Sequence, residues 1–277
     1  MIMKKVLSAA QEYLVGKTVR DLVVGISLTA CELDSGDIGV SYVLRDDLPN
    51  GCSAFPYARK AVGRPACEIA EWIISGGDNL QRGIADAVLA AASNGIEIPN
   101  DTDVYERPFG LEVKATDTVG MIGLIFPVAE KLVKLAGRMI VFDEGLSLHG
   151  GDPMIYSTAH QPQLLPECDI VILSGTTVIN QSIDSLLAMC TKSREIVMVG
   201  ASTPMFPKGW AGSGVTRLAG SLWDNTRKNE IFRMISQASG IRELKDFALP
   251  KNIKVDVITL PLARPEKLCV SRTEKIL

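Results

Sequence analysis

The chain has 277 residues, of which 47% are hydrophobic, 22% charged and only 5% aromatic, with a net charge of −3. That length gives room for two domains with a core built on aliphatic side chains. The lack of a long basic run excludes the electrostatic footprint of a nucleic-acid binder, and no apolar run reaches the roughly 20 residues of a bilayer span. A cytoplasmic protein with neither a nucleic-acid nor a membrane partner is expected.

Residues 3–10 imitate a signal peptide only briefly, because Gln11 and Glu12 cut the apolar run short and no small-residue cleavage site follows. Leu7, Ala10 and Leu14 instead mark one face of an amphipathic helix. Residues 19–44 read as a β-hairpin. Val24, Ile26, Leu28 and Ala30 alternate with polar or small residues, Asp34 to Asp37 supply the turn, and Ile38, Val40, Tyr42 and Leu44 alternate again. Pro49, Gly51 and Pro56 break the next stretch. Pro65 suits a first helical position ahead of an apolar stripe at Ile69, Trp72 and Ile73, which stops at Ser75-Gly76-Gly77. Asp78 with Gln81 three residues on forms a capping pair for a second helix, buried through Leu80, Ile84, Val88 and Ala91 and ended by Asn94-Gly95. The polar stretch Pro99 to Pro108 is the candidate boundary, which divides the chain into residues 1–110, an α+β unit, and residues 111–277.

Beyond that boundary strands and helices alternate. Strands are predicted at Val119–Phe126, Met139–Phe142, Asp169–Leu173 and Ile196–Val199, a fifth near Val215–Leu222, and one more in the tail at Ile253–Leu260. Helices begin at Pro127, after Thr177 and after Asp224. Such alternation with short connections predicts right-handed crossovers and a parallel, Rossmann-like α/β sheet.

Six cysteines, Cys31, Cys52, Cys67, Cys168, Cys190 and Cys269, form no CxxC pair, so zinc and iron–sulfur spacings are missing and reduced thiols are expected. In an open parallel sheet, ligands bind beyond the carboxyl ends of the strands. Those ends are small or polar here: Asp143-Glu144-Gly145, Ser174 to Thr177 with Asn180 following, and Gly200-Ala201-Ser202-Thr203-Pro204. Gly175 permits close backbone approach, the threonines offer hydroxyls, and Asn180 offers a donor and an acceptor. The same residues also suit plain turns and N-caps. Asp143 and Glu144 are candidate hard-cation ligands, with a solvated strand end as the alternative. Asp143 also lies twenty residues after Gly123, the spacing of a ribose-binding acid, but the glycine fingerprint is missing, so no standard NAD or FAD site is expected. His149 and His160 flank a Gly/Asp/Pro loop, and Arg59, Lys60 and Arg64 form a small basic cluster; both groups suit solvated surface. No Ser/His/Asp order, HExxH or P-loop is present.

Gly120 to Gly123 (with Val119), the stretch IVILSGTTVIN at 170–180, and VGASTP at 199–204 continuing to Pro207 resemble the family known as "putative heavy-metal chelation", long classed as a domain of unknown function. The strand Gly39–Leu44 and the helix Asn79–Asn94 are similar to its amino-terminal companion domain. The resemblance covers most of residues 5–240. It implies an enolase-N-terminal-like first domain, a Rossmann-like second domain, and a site in the cleft between them. It places Thr176, Thr177, Asn180, Ser202, Thr203 and Pro204 at that site, joined by Asn79 from the first domain, with a metal ion as the implied cofactor. Scarce thiolate and imidazole ligands there argue for a hard cation, or for a metal already held by an organic ligand. The expected partner is thus a metal or small-molecule ligand. The alternatives are a transferase- or lyase-type enzyme acting on a small anion in the same cleft, and a non-catalytic interaction module.

Overall fold

The computed structural model describes residues 1–45, 48, 57–98 and 107–255. Pro49, Gly51, Pro56, Cys52, Cys269 and the tail beyond 255 lie outside the described residues.

Helix α1 (Ile2–Leu14) buries Val6, Ala10 and Leu14, so its apolar face centres on Val6, and Leu7 is only half-buried. Three antiparallel strands follow, β1 (Val19–Val24), β2 (Leu28–Leu33) and β3 (Ile38–Tyr42), in that spatial order. The alternation across 24–30 predicted one strand where the chain makes two. It turns at 25–27, and the Gly25 N–H donates to the Leu28 carbonyl at 2.8 Å. Gly25 presses on a helix of the second half, and a Cβ there would stand 2.3 Å from the Ile235 carbonyl oxygen.

Three short helices, α2 (Tyr57–Ala61), α3 (Ala66–Ala70) and α4 (Trp72–Ser75), lead to the long α5 (Asn79–Asn94). Pro65 caps α3 from just outside it. The capping pair forms as predicted: Asp78 accepts the Gln81 N–H at 2.8 Å, and the Gln81 side chain accepts the Gly77 N–H at 2.7 Å. Helix α5 lies directly on the three-stranded sheet. A Cβ on Gly39 would stand 2.1 Å from the Ala87 carbonyl oxygen, so only glycine admits this approach.

The second half alternates β4 (Thr118–Ile122), α6 (Phe126–Leu132), β5 (Arg138–Phe142), α7 (Glu144–Ser147), β6 (Ile155–Tyr156), α8 (Gln161–Leu164), β7 (Ile170–Ser174), α9 (Ile183–Met189), β8 (Glu195–Val199), α10 (Pro207–Trp210), β9 (Arg217–Trp223), α11 (Lys228–Ser236) and β10 (Ala248–Lys254). The sheet order is β10-β9-β8-β7-β4-β5-β6, parallel throughout except for β10, which runs antiparallel to β9. The chain thus enters the sheet at β4, moves outward through β5 and β6, and returns to the other side of β4 at β7. Three expectations change. The strand predicted to reach Phe126 stops at Ile122, because Gly123 takes a φ of +73° and Phe126 opens α6. The tail strand begins five residues earlier than predicted and joins the large sheet. The two-residue β6 carried no periodic signal.

One apolar core runs through both halves: Val6, Ile84 and Leu89 share it with Val171, Leu173 and Met198. A second cluster packs Leu28, Ile38 and Val40 against Ile231 and Ile235 of α11. Burying each such side chain contributes about 1.5–3 kcal/mol. At the edge of that contact Lys228 reaches Asp21 at 2.6 Å and Glu32 at 3.3 Å. Cys31, Cys168 and Cys190 are buried free thiols, and Cys67 is buried as well.

Candidate functional site

The turn after β7 is a 3₁₀ turn over Gly175–Val178, capped by Ser174. The Ser174 and Thr176 hydroxyls bond each other at 2.8 Å, and Thr177 donates to the Ser174 carbonyl at 2.8 Å. Thr177 is buried, Thr176 half-buried and Asn180 exposed. The Asn180 side-chain oxygen accepts both the N–H and the hydroxyl of Ser182, at 3.1 and 2.7 Å, and so shapes the entry to α9. Gln181 between them takes a φ of +60°.

The turn after β8 lies against it. A Cβ on Gly175 would stand 2.5 Å from the carbonyl carbon and oxygen of Ser202, so the two turns touch backbone to backbone. Their side chains differ in fate. Ser202, 1% exposed, accepts the Tyr42 N–H at 2.8 Å and bonds the Ser41 hydroxyl at 3.0 Å, both on β3. Ser41 in turn donates to Asp86 of α5 at 2.7 Å. The Thr203 hydroxyl is buried and finds no hydrogen-bond partner among the described residues. The Pro204 carbonyl accepts the Trp210 indole N–H at 3.0 Å.

Asn79 opens α5 and is buried; its side-chain oxygen accepts from Arg82 at 2.5 Å. Arg82 also donates to the Ile179 carbonyl at 2.5 Å and to the Gly76 carbonyl at 2.7 Å. The start of α5 is therefore tied to the residue beside Asn180. Ser202 thus reaches across to β3, Arg82 joins Asn79 to Ile179, and Gly175 meets Ser202, whereas Thr176, Thr177 and Asn180 bond within their own segment and the Pro204 carbonyl bonds Trp210.

Asp143 and Glu144 are engaged as caps. Asp143 accepts the Leu146 N–H with one oxygen and the Leu124 N–H with the other, both at 3.1 Å. One Glu144 oxygen accepts from the Ser157 hydroxyl, the Thr158 N–H and the Thr158 hydroxyl at 2.7–2.9 Å. The Thr158 bonds, foremost, hold the Glu144 carboxyl below the usual carboxylate range. Among the described residues no group of three or more His, Cys, Asp or Glu is placed to hold a metal ion. His160 packs edge-on against Tyr156, ring centres 5.8 Å apart.

A cavity of about 420 Å³ lies in the first half, lined by Val24, Ile26, Val43, Leu80, Ile84 and Arg45 among others, and by none of the residues predicted at the site. Sequence reasoning missed Ser41, Arg82 and Asp86. Only Asp86 carried a signal, as the single acid within the apolar run Ile84–Ala92. No helix of the described residues is long and apolar enough to cross a membrane.

Fold and contact zone together define a mixed α/β protein in which a mostly parallel sheet offers its polar strand ends to a smaller antiparallel unit. The chain belongs to the DUF364 family, described as "Putative heavy-metal chelation", which matches residues 108–254. Residues 7–93 match DUF4213, which carries the same description. An uncharacterized protein of Methanocaldococcus jannaschii is 31% identical over 102 residues, 36% of this chain, and the match spans about two fifths (39%) of that relative's length. A DUF364-family protein of unknown function from Pyrococcus horikoshii superposes with a TM-score of 0.73 at 21% identity, covering 92% of this chain and 100% of its own. Another, from Desulfitobacterium hafniense DCB-2, gives 0.72 at 20% identity, covering 91% and 98%. At these identities the two structures speak for the fold alone.

Proposed function

We propose that this chain binds a small metal complex, a metal ion already held by an organic chelator, at the carboxyl ends of its central strands. The observation that carries the reading is the convergence of three segments: the turn after β7, the turn after β8 pressed against Gly175, and the start of α5 tied through Arg82 to Ile179. Their rim offers the half-buried Thr176 and the exposed Asn180. We read the sheet as Rossmann-like, since the chain enters at β4 and reverses direction between β4 and β7, the position at which such sheets take ligands. The first half is then an enolase-N-terminal-like unit, with domains at 1–110 and 111–277, and the setting is the cytoplasm.

The donor set supports a chelated metal over a bare one. Hydroxyls and an amide can donate to the oxygen-bearing edge of a ligand, whereas Asp143 and Glu144 already accept from Leu124, Leu146, Ser157 and Thr158. No cysteine lies in either turn: Cys168 precedes β7 and Cys190 follows α9, both at the amino-terminal edge of the sheet, where burial pushes their thiols up to about 12 and about 11. Titration of protein purified without chelators, first with Ni²⁺ and then with preformed Ni²⁺–citrate, tests this. The complex should bind at least about tenfold more tightly than the ion and raise the melting temperature. Thr176→Val with Asn180→Ala should remove most of that gain. If neither probe binds, or the double variant binds like wild type, the proposal fails. Stabilisation by phosphate or simple carboxylates alone, without metal, would favour the enzyme alternative.

A further inference from the structure

The seam between the two halves contains a buried acid, Asp86, that makes no ion pair among the described residues. Asp86, 1% exposed, faces β3 and the turn after β8. From β3, Ser41 donates to it at 2.7 Å, and the same hydroxyl lies 3.0 Å from that of Ser202. Ser202 accepts the Tyr42 N–H at 2.8 Å. A hydrogen-bonded line therefore runs from a backbone amide of β3, through the strand-end turn, to a carboxyl of α5. Both serines are buried as well.

Few groups can compensate a charge there. On β3 the titratable neighbour is Tyr42, whose phenol burial pushes above its ordinary value. On β2, Thr29 stands opposite Ser41 in register, and its hydroxyl is buried without a partner among the described residues. The turn after β8 brings Ser202 and Thr203, neither ionisable. Arg82, one turn earlier on α5, is directed to Ile179, Gly76 and Asn79. A lone carboxylate in such a place carries a desolvation cost that two hydroxyls offset only partly.

We propose that Asp86 is a proton-operated latch: as a neutral acid it holds the turn 200–204 against β3, and its ionisation loosens that seam. The hydroxyl line suits both states. With the acid protonated, Asp86 can donate to Ser41. With it ionised, Ser202 and Ser41 must both donate toward the carboxylate, and water is drawn to a charge that buried serines solvate incompletely. Burial pushes the carboxyl up to about 8, against the opposing pull of the Ser41 and Ser202 hydroxyls. The unfolded chain loses this proton near pH 4. The folded state therefore holds one more proton than the unfolded state between about pH 4 and the folded value. The latch contribution is fully present below that window and is lost as pH rises through it.

This inference goes beyond the binding proposal, and its test contains no metal or ligand. The folding constant of wild type and Asp86→Asn is measured on the full chain from pH 5 to 9. The ratio of the two should change by up to about tenfold per pH unit below pH 8, with the variant gaining on wild type as pH rises. A ratio independent of pH overturns the proposal. Amide exchange at Tyr42 in wild type, corrected for the intrinsic pH dependence, reads the seam directly and decides the matter if Asp86→Asn does not fold. Protection should drop at least about tenfold between pH 6 and pH 9, in line with ionisation of one group. Unchanged protection overturns it.

Discussion

The turns that follow β7 and β8 use nearly the same residues for opposite ends. Each joins a glycine to small hydroxyl side chains at the end of a buried parallel strand. After β7 the hydroxyls bond within the turn, and Thr176 and Asn180 remain at the rim. After β8 Ser202 turns into the seam and is spent on β3, within reach of Asp86. A polar strand end is thus not in itself a ligand site. What the next layer of structure places over it decides whether its hydroxyls face solvent or another part of the chain.

The contact between the two turns is the place to break this comparison most severely. Gly175→Ala puts a methyl group where the Ser202 backbone stands 2.5 Å away, and overpacking of this kind costs about 1–3 kcal/mol or more. Urea unfolding should show the full loss, with both turns disturbed together. Ser202→Ala should follow at about 1–3 kcal/mol, because the Tyr42 N–H loses its acceptor inside the seam. Thr203→Val separates the two serine/threonine neighbours. Its hydroxyl has no partner among the described residues, so the substitution should leave stability unchanged or raise it by up to about 1 kcal/mol. Thr176→Val, at the rim, should change stability by less than about 0.5 kcal/mol while weakening binding of the metal complex. Equal losses for Ser202→Ala and Thr176→Val in the same unfolding assay would erase the distinction between the two turns.

The smallest effect is expected at Glu144. Its carboxyl is held below the usual range mainly by Thr158, and it is fully exposed. Acidification through its lowered pKa, or Glu144→Gln, should speed amide exchange at Thr158 without moving the global melting temperature. The stabilising bonds are present above the unfolded value and are lost as pH falls through the folded one, the reverse of the direction at Asp86.

Much of the architecture was legible because it rests on local rules. The Asp78–Gln81 cap, the α5 stripe, and the β–α alternation from residue 118 depend on neighbours within a few residues, and all three stand in the structure. The misreadings fall where a distant contact intervenes. The turn at Gly25 lies against the Ile235 carbonyl of α11, more than 200 residues away in sequence, which leaves no room for a side chain there, and β6 and β10 take their places by pairing with strands already in the sheet. The candidate site was legible as a set of polar strand ends but not as a division into rim and seam.

By itself, then, the sequence determined the elements and the meeting of consecutive strand ends on one edge of a parallel sheet, since period, caps and right-handed crossovers are properties of nearby residues. Only the tertiary structure decided that Ser202 serves the seam while Thr176 and Asn180 stay at the rim. That choice depends on where α5 and β3 pack, and burial by a remote segment leaves no trace in the spacing of the residues it covers.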